Sequence, residues 1–181
     1  MKKEDFVFNL RDITEIGILC GLAIVLDTFV KIPIAISGGS INIAMFPLIF
    51  IALHKGWFKG FIAGAIIFGL ITCLIDGYGF ATYPFDYFIA FGSVAIVGFF
   101  RNLIISEKLT AKNYIFFAIS ILLCMTVRFF SHTISGIIIY ELDFVGSMVY
   151  QLPYILPTAA VLLVILVPLL SVFKSLFARL S

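Results

Sequence analysis

The sequence predicts an all-α integral membrane protein of six transmembrane helices, with both termini in the cytoplasm. Three observations carry that reading: an apolar composition, a succession of six apolar runs, and a one-sided distribution of Lys and Arg. Hydrophobic residues make up 62% of the 181 residues and charged ones only 12%, with a mean hydropathy of +1.19. Soluble domains carry roughly 25% charged residues, so this chain has too little polar surface to solvate a globular fold. Its length accommodates about six spans of roughly 20 residues each, which predicts a single transmembrane domain over 1–181.

The apolar runs fall at about 13 to 30, 41 to 53, 60 to 75, 84 to 100, 114 to 139 and 149 to 172. Polar or Gly/Pro-bearing turns separate them: Ser37-Gly38-Gly39-Ser40, His54-Lys55-Gly56, Asp76-Gly77-Tyr78-Gly79, the stretch from Arg101 to Asn113, and Glu141-Leu142-Asp143. The second run is short, and is expected either to begin nearer Ile34 or to lie tilted. Residues 1–12 form a polar segment of mixed charge with no small-residue cleavage site after the next apolar stretch, so no signal peptide is expected.

With the N-terminus inside, Lys2, Lys3, Arg11, Lys55, Lys59, Arg101, Lys108, Lys112, Lys174 and Arg179 are all cytoplasmic, ten of the twelve Lys and Arg. Only Lys31 falls outside and Arg128 within a helix, the asymmetry that orients membrane proteins. Cys20, Cys73 and Cys124 sit singly in three different runs with no CxxC or His/Cys cluster. They read as small packing residues rather than as a metal site or a disulfide framework. The net charge of +2 points to no nucleic acid.

Depth then places the remaining polar residues. Helix four runs inward to Arg101, which puts Asp86 about 22 Å above the cytoplasmic end at 1.5 Å per residue. Helix five runs outward from Tyr114, so Arg128 lies about 21 Å up at the same level, with His132 one turn higher on the same face. Ionisable groups at that depth must face protein or a water-filled cavity. Two readings fit: a closed Asp86–Arg128 salt bridge with His132 as an interhelical hydrogen-bonder, or a substrate pocket open to the outside.

Tyrosine favours the pocket. Six of the seven tyrosines, Tyr78, Tyr83, Tyr87, Tyr140, Tyr150 and Tyr154, fall in the outer half or outer loops, whereas an aromatic belt would populate both interfaces. Together with Asp86, His132 and Gln151 these rings suit a flat, polar, cationic heteroaromatic. In the first helix, Gly17 and Gly21 lie four apart and form a small-residue face that permits close helix approach, to the rest of this chain or to a partner.

The ordered blocks TEIGILCGLAIVLD (14–27), GGSINIAMFPLIFIALHKGWFKGFIAG (38–64), DYFIAFGSVAIVGFF (86–100), RFFSHTISG (128–136) and VYQLPYILP (149–157) resemble the thiamine-binding S components of energy-coupling factor (ECF) vitamin transporters. The resemblance covers nearly the whole chain from Thr14 to about Pro157. It implies a six-helix subunit in the cell membrane of a prokaryote that captures the vitamin from outside. A separate transmembrane subunit and two ATPases would drive release inward, and this chain itself would hold no cofactor and catalyse nothing.

By motif, Asp86 and Tyr87 match the family's acid-Tyr pair, and Arg128, His132 and Gly136 match its basic-xxx-His-xxx-Gly pattern for the ligand. Gly17 and Gly21 match the small residues that contact the transmembrane partner. The resemblance further implies that Asp86 accepts from the ligand's amino group or offsets its cation, and that Tyr87 and His132 give directional hydrogen bonds. Arg128 would hold Asp86 ionised or reach the hydroxyethyl or phosphate end. The Gly38-Gly39 loop and the loop from Asp76 to Tyr83 would form a lid, and Pro153 and Pro157 would kink helix six beside the pocket.

The chain departs from the family pattern in having Trp57 as its single tryptophan, on the cytoplasmic side, with Tyr140 in place of a pocket tryptophan. Gln151-Leu152 also stands where the family typically has Asn-Gly after tyrosine. These departures bear on the ligand rather than on the class of subunit. An S component for another vitamin, or for a pyrimidine or thiazole precursor, keeps the fold with a different pocket. A self-sufficient secondary transporter would need a coupling-ion site and inverted repeats, and a membrane enzyme a compact acid or nucleophile constellation; the sequence shows none of these.

Overall fold

The computed structural model describes residues 6–34 and 39–180, so Lys2, Lys3 and Gly38 lie outside the described residues. Seven helices follow in order: α1 (Leu10–Phe29), α2 (Met45–Lys55), α3 (Trp57–Asp76), α4 (Phe80–Phe99), α5 (Ala111–Ile138), α6 (Phe144–Leu166) and α7 (Leu170–Leu180). Helices α3 to α6 are each long and apolar enough to cross a membrane. Helix α1 has 20 residues but carries Arg11, Asp12, Glu15 and Asp27, and α2 has only 11.

Three expectations are corrected. The short second run does not begin near Ile34. Residues there form an antiparallel hairpin of β1 (Lys31–Pro33) and β2 (Ser40–Asn42), with Lys31 opposite Asn42 and Pro33 opposite Ser40. Pro33 and the β-branched Ile32 and Ile41 favour extended pairing over a further helical turn. The stretch after Arg101 is not all loop, because Arg101–Ile104 form one more helical turn. The sixth run breaks at 167–169, after which α7 continues as a separate helix.

Local chemistry fixes the ends of these elements. Asn9 caps α1 by accepting from the Asp12 backbone at 2.7 Å, and the Asp12 carboxylate accepts from the Asn9 amide at 3.3 Å, the reciprocal pattern that satisfies two orphan donors. Asp143 caps α6 through the Gly146 amide at 3.2 Å. Gly56, at φ 93°, supplies the tight corner between α2 and α3, a conformation that costs other residues dearly.

Helix α1 buries one face, Asp12, Ile16, Cys20, Ala23 and Asp27. Asp12 meets Lys59 at 2.8 Å and Lys55 at 3.0 Å, and Glu15 meets Lys55 at 2.6 Å and Arg11 at 2.7 Å. This network pins the cytoplasmic end of α1 to α2 and α3. The three cysteines are free and buried, as small apolar packing residues would be.

Helices α3 and α4 each contain a π-helical segment, Ile62–Phe68 and Tyr83–Ile89; such widened turns recur at functional sites. Close approach between these helices depends on absent side chains. A Cβ at Gly64 would overlap the Phe91 carbonyl oxygen, and one at Gly98 would overlap the Trp57 backbone. Gly64→Ala is therefore expected to destabilise the bundle by about 1–3 kcal/mol, the usual cost of forcing a methyl into a packed interior. A lowered thermal midpoint of the detergent-purified protein would register it.

Candidate functional site

Beneath the hairpin lies a chamber of about 690 Å³ lined by residues of every helix from α1 to α6 except α2, together with both strands. That volume lies within the range of small-molecule sites. Ten of the eleven residues expected at the pocket line it: Tyr78, Asp86, Tyr87, Arg128, His132, Gly136, Tyr140, Tyr150, Gln151 and Tyr154.

Tyr83 does not line it. Its hydroxyl donates to the Ala65 carbonyl at 2.9 Å and its ring stacks on Phe80 at 5.1 Å, because it lies on the flank of α4 turned toward α3. Of the two expected lid loops, Gly39 beside β2, Asp76 at the end of α3 and Tyr78 just beyond it reach the chamber.

The chemistry centres on α4 and α5. Asp86 accepts from Ser135 Oγ at 2.6 Å and pairs with His132 Nδ1 at 2.8 Å. Arg128 Nε donates to His132 Nε2 at 3.2 Å. A guanidinium nitrogen only donates, so Nε2 is the accepting nitrogen and the ring proton belongs on Nδ1, facing Asp86. Ser131 Oγ, one position away, donates to the Phe85 carbonyl at 2.6 Å and adds a second tie between the helices.

The closed Asp86–Arg128 salt bridge is not formed; His132 stands between the two groups. Arg128 instead lies over the Phe91 ring at 4.7 Å, a cation-π contact that compensates part of its desolvation. Helix α6 closes the remaining side. Its Ser147 fits against Gly136, where a Cβ would collide with the Ser147 hydroxyl, and Ser147 Oγ donates to the Thr133 carbonyl at 2.9 Å. Pro153 and Pro157 both lie inside this helix.

Three buried polar atoms of the lining have no hydrogen-bond partner among the described residues: Arg128 Nη1, the Tyr150 hydroxyl and Gln151 Oε1. Orphaned groups of this kind are expensive in a closed interior, and they converge here on one cavity. They present a donor, a group that does both, and an acceptor.

The lining also includes residues that the sequence reading did not single out for the site, above all Asp27, Asn42 and Phe91. Asp27 was detectable: an acid near the outer end of the first apolar run needs the same shelter as Asp86. Asp76, named beforehand only as part of a loop, accepts from the Tyr87 hydroxyl at 3.0 Å.

A helical bundle in the membrane with a polar, aromatic-walled chamber is a small-molecule binding protein of the bilayer. Residues 13–178 match the thiamine transporter protein family (Thia_YuaJ), and the chain belongs to that family. The thiamine transporter ThiT of Bacillus subtilis (strain 168) is 26% identical over an alignment 176 residues long, and the match covers 87% of this chain and 89% of that protein. A solved structure of ThiT from Listeria monocytogenes shares the fold with a TM-score of 0.76 at 24% identity, covering 93% of this chain and 97% of that one. The protein is thus a multi-pass membrane protein of a prokaryotic transporter family.

Two tyrosines separate wall from scaffold. Tyr150→Phe removes an unpartnered hydroxyl and is expected to weaken ligand binding with little change in thermal midpoint. Tyr83→Phe removes a hydroxyl bonded to Ala65 and should cost about 1 kcal/mol of stability with ligand affinity preserved. Paired melting curves and calorimetric titrations of the two variants measure both effects.

Proposed function

We propose that this chain is the substrate-binding S subunit of an ECF-type importer, capturing thiamine from outside the cell. Uptake is completed by a separate transmembrane subunit and two ATPase subunits. ATP is consumed by those partners, and this chain binds its ligand without a cofactor and without chemistry. The observation that carries the reading is the set of unmet polar atoms, Arg128 Nη1, Tyr150 Oη and Gln151 Oε1, in a chamber that Tyr78, Tyr87, Tyr140 and Tyr154 also line.

Thiamine joins an aminopyrimidine to a permanently charged thiazolium with a hydroxyethyl arm. Gln151 Oε1 suits the exocyclic amine, and Arg128 Nη1 and the Tyr150 hydroxyl suit ring-nitrogen and hydroxyl acceptors. Asp86, its carboxylate steadied by His132 and Ser135, offers a further acceptor. Tyr140, Tyr150 and Tyr154 supply faces for the cation, each such contact contributing roughly 0.5 to 2 kcal/mol.

Gly17 and Gly21 are the proposed contact with the transmembrane partner. A methyl group added at either would meet nothing within 4 Å, so they are surplus to the packing of this chain and leave a flat track on the outside of α1.

Calorimetric titration of the purified chain with thiamine, followed by competition with the separate pyrimidine and thiazole halves, tests the ligand. One-to-one saturation by thiamine is expected; a preference for one half alone would reassign the subunit to a precursor. Asp86→Asn should weaken thiamine binding more than about tenfold, in line with loss of a charged partner from a desolvated pair. Gly17→Trp or Gly21→Trp should leave binding intact while abolishing uptake by cells that supply the partner subunits. Lost binding would return those glycines to the packing of this chain.

A further inference from the structure

The chamber holds a second carboxylate whose surroundings differ from those of Asp86. Asp27 is 8% exposed and occupies the last inward-facing position of α1, following Ile16, Cys20 and Ala23. Asn42 Nδ2, from β2, donates to its Oδ1 at 2.9 Å. The orientation of that amide is set independently. The Ala44 backbone N–H donates to Asn42 Oδ1 at 3.2 Å, which leaves Nδ2 as the end that faces Asp27.

The other carboxylate oxygen, Oδ2, has no hydrogen-bond partner among the described residues. Asp86, by contrast, has both oxygens engaged. Nor does any Lys or Arg nitrogen of the described residues come within ion-pair distance of Asp27, Asp76 or Asp86.

Three carboxylates line the cavity against two cations, Lys31 and Arg128, an excess of one negative charge when all are ionised. A buried carboxylate without a cation is costly, and a ligand carrying one positive charge removes that cost. Arg128 is held over Phe91 and against His132, and Lys31 lies on the exposed strand β1, so both act on Asp27 only from beyond ion-pair distance.

We infer that Asp27, oriented by Asn42, supplies the counter-charge for the cationic ring of the ligand and is a specificity-determining residue of this chamber. The inference rests on the thiamine reading and divides the ligand between two acids: Asp86 serves the polar aminopyrimidine and Asp27 the charged ring. Discrimination between thiamine and an uncharged look-alike then resides on α1 rather than on α4 and α5.

The test compares thiamine with its uncharged analogue in which a thiophene replaces the thiazolium, titrated into the full-length purified chain. Asp27→Asn preserves the shape of the side chain and can still hydrogen-bond Asn42. It is expected to weaken thiamine binding by roughly tenfold or more, the scale of a close, desolvated charge pair, and to leave the analogue within about threefold of its original affinity. Retained analogue binding also certifies that the variant is folded. Asp86→Asn should weaken both ligands alike. Equal losses for the two ligands with Asp27→Asn, or no loss of thiamine affinity, would overturn the assignment. If the unaltered protein binds neither compound, the thiamine reading falls and this inference with it.

Discussion

A charged side chain inside a hydrocarbon layer must be solvated by the protein around it, and the hydrogen-bonded run Asp86–His132–Arg128 meets that demand between α4 and α5. Its members are 2.8 and 3.2 Å apart. It does more than tie two helices together. By placing a neutral imidazole between acid and base, it keeps Asp86 and Arg128 from neutralising each other and leaves Arg128 Nη1 unspent. Around it, α6 packs on α5 at Gly136 and the hairpin is tied to α1 through Asn42 and Asp27, so the three charged or polar groups are enclosed by the chamber wall.

Much of this was legible beforehand. Rise per residue placed Asp86 and Arg128 at one level with His132 one turn above, and the outward bias of the tyrosines pointed to a chamber in the outer half. What escaped was of two kinds. The strands Lys31–Pro33 and Ser40–Asn42 are three residues each, too short for an alternating pattern to show, so their pairing became visible only in three dimensions. Asn42, which owes its role to that pairing, stayed hidden with it. Asp27 was overlooked for a different reason: the depth argument applied to Asp86 held for it as well but was not extended to the first helix. The direct Asp86–Arg128 pair failed because equal depth fixes height and not azimuth. His132, one turn from Arg128 on the same face, was nearer to the acid.

At the opposite end, the network of Asp12, Glu15, Lys55 and Lys59 holds α1 by its inward face. Because each carboxylate meets a lysine of α2 or α3, the network sets which face of α1 turns inward. Here the register turns Asp12, Ile16, Cys20, Ala23 and Asp27 toward the bundle, and Gly17 and Gly21 therefore point away. One helix thus serves the ligand on one face and carries the bare track on the other, and the spacing of both features is set by the same helical period.

The single tryptophan brings an optical consequence. Trp57 stacks on Phe99 at 4.8 Å and meets Phe58 and Phe6 edgewise or at an angle near the cytoplasmic ends of α3 and α4, and it is absent from the chamber wall. Tryptophan emission from this protein therefore reports the packing of α3 against α4 at Phe99 and not the wall of the chamber. A tryptophan introduced at Tyr140 would reverse that, lighting the binding site against a constant background from position 57.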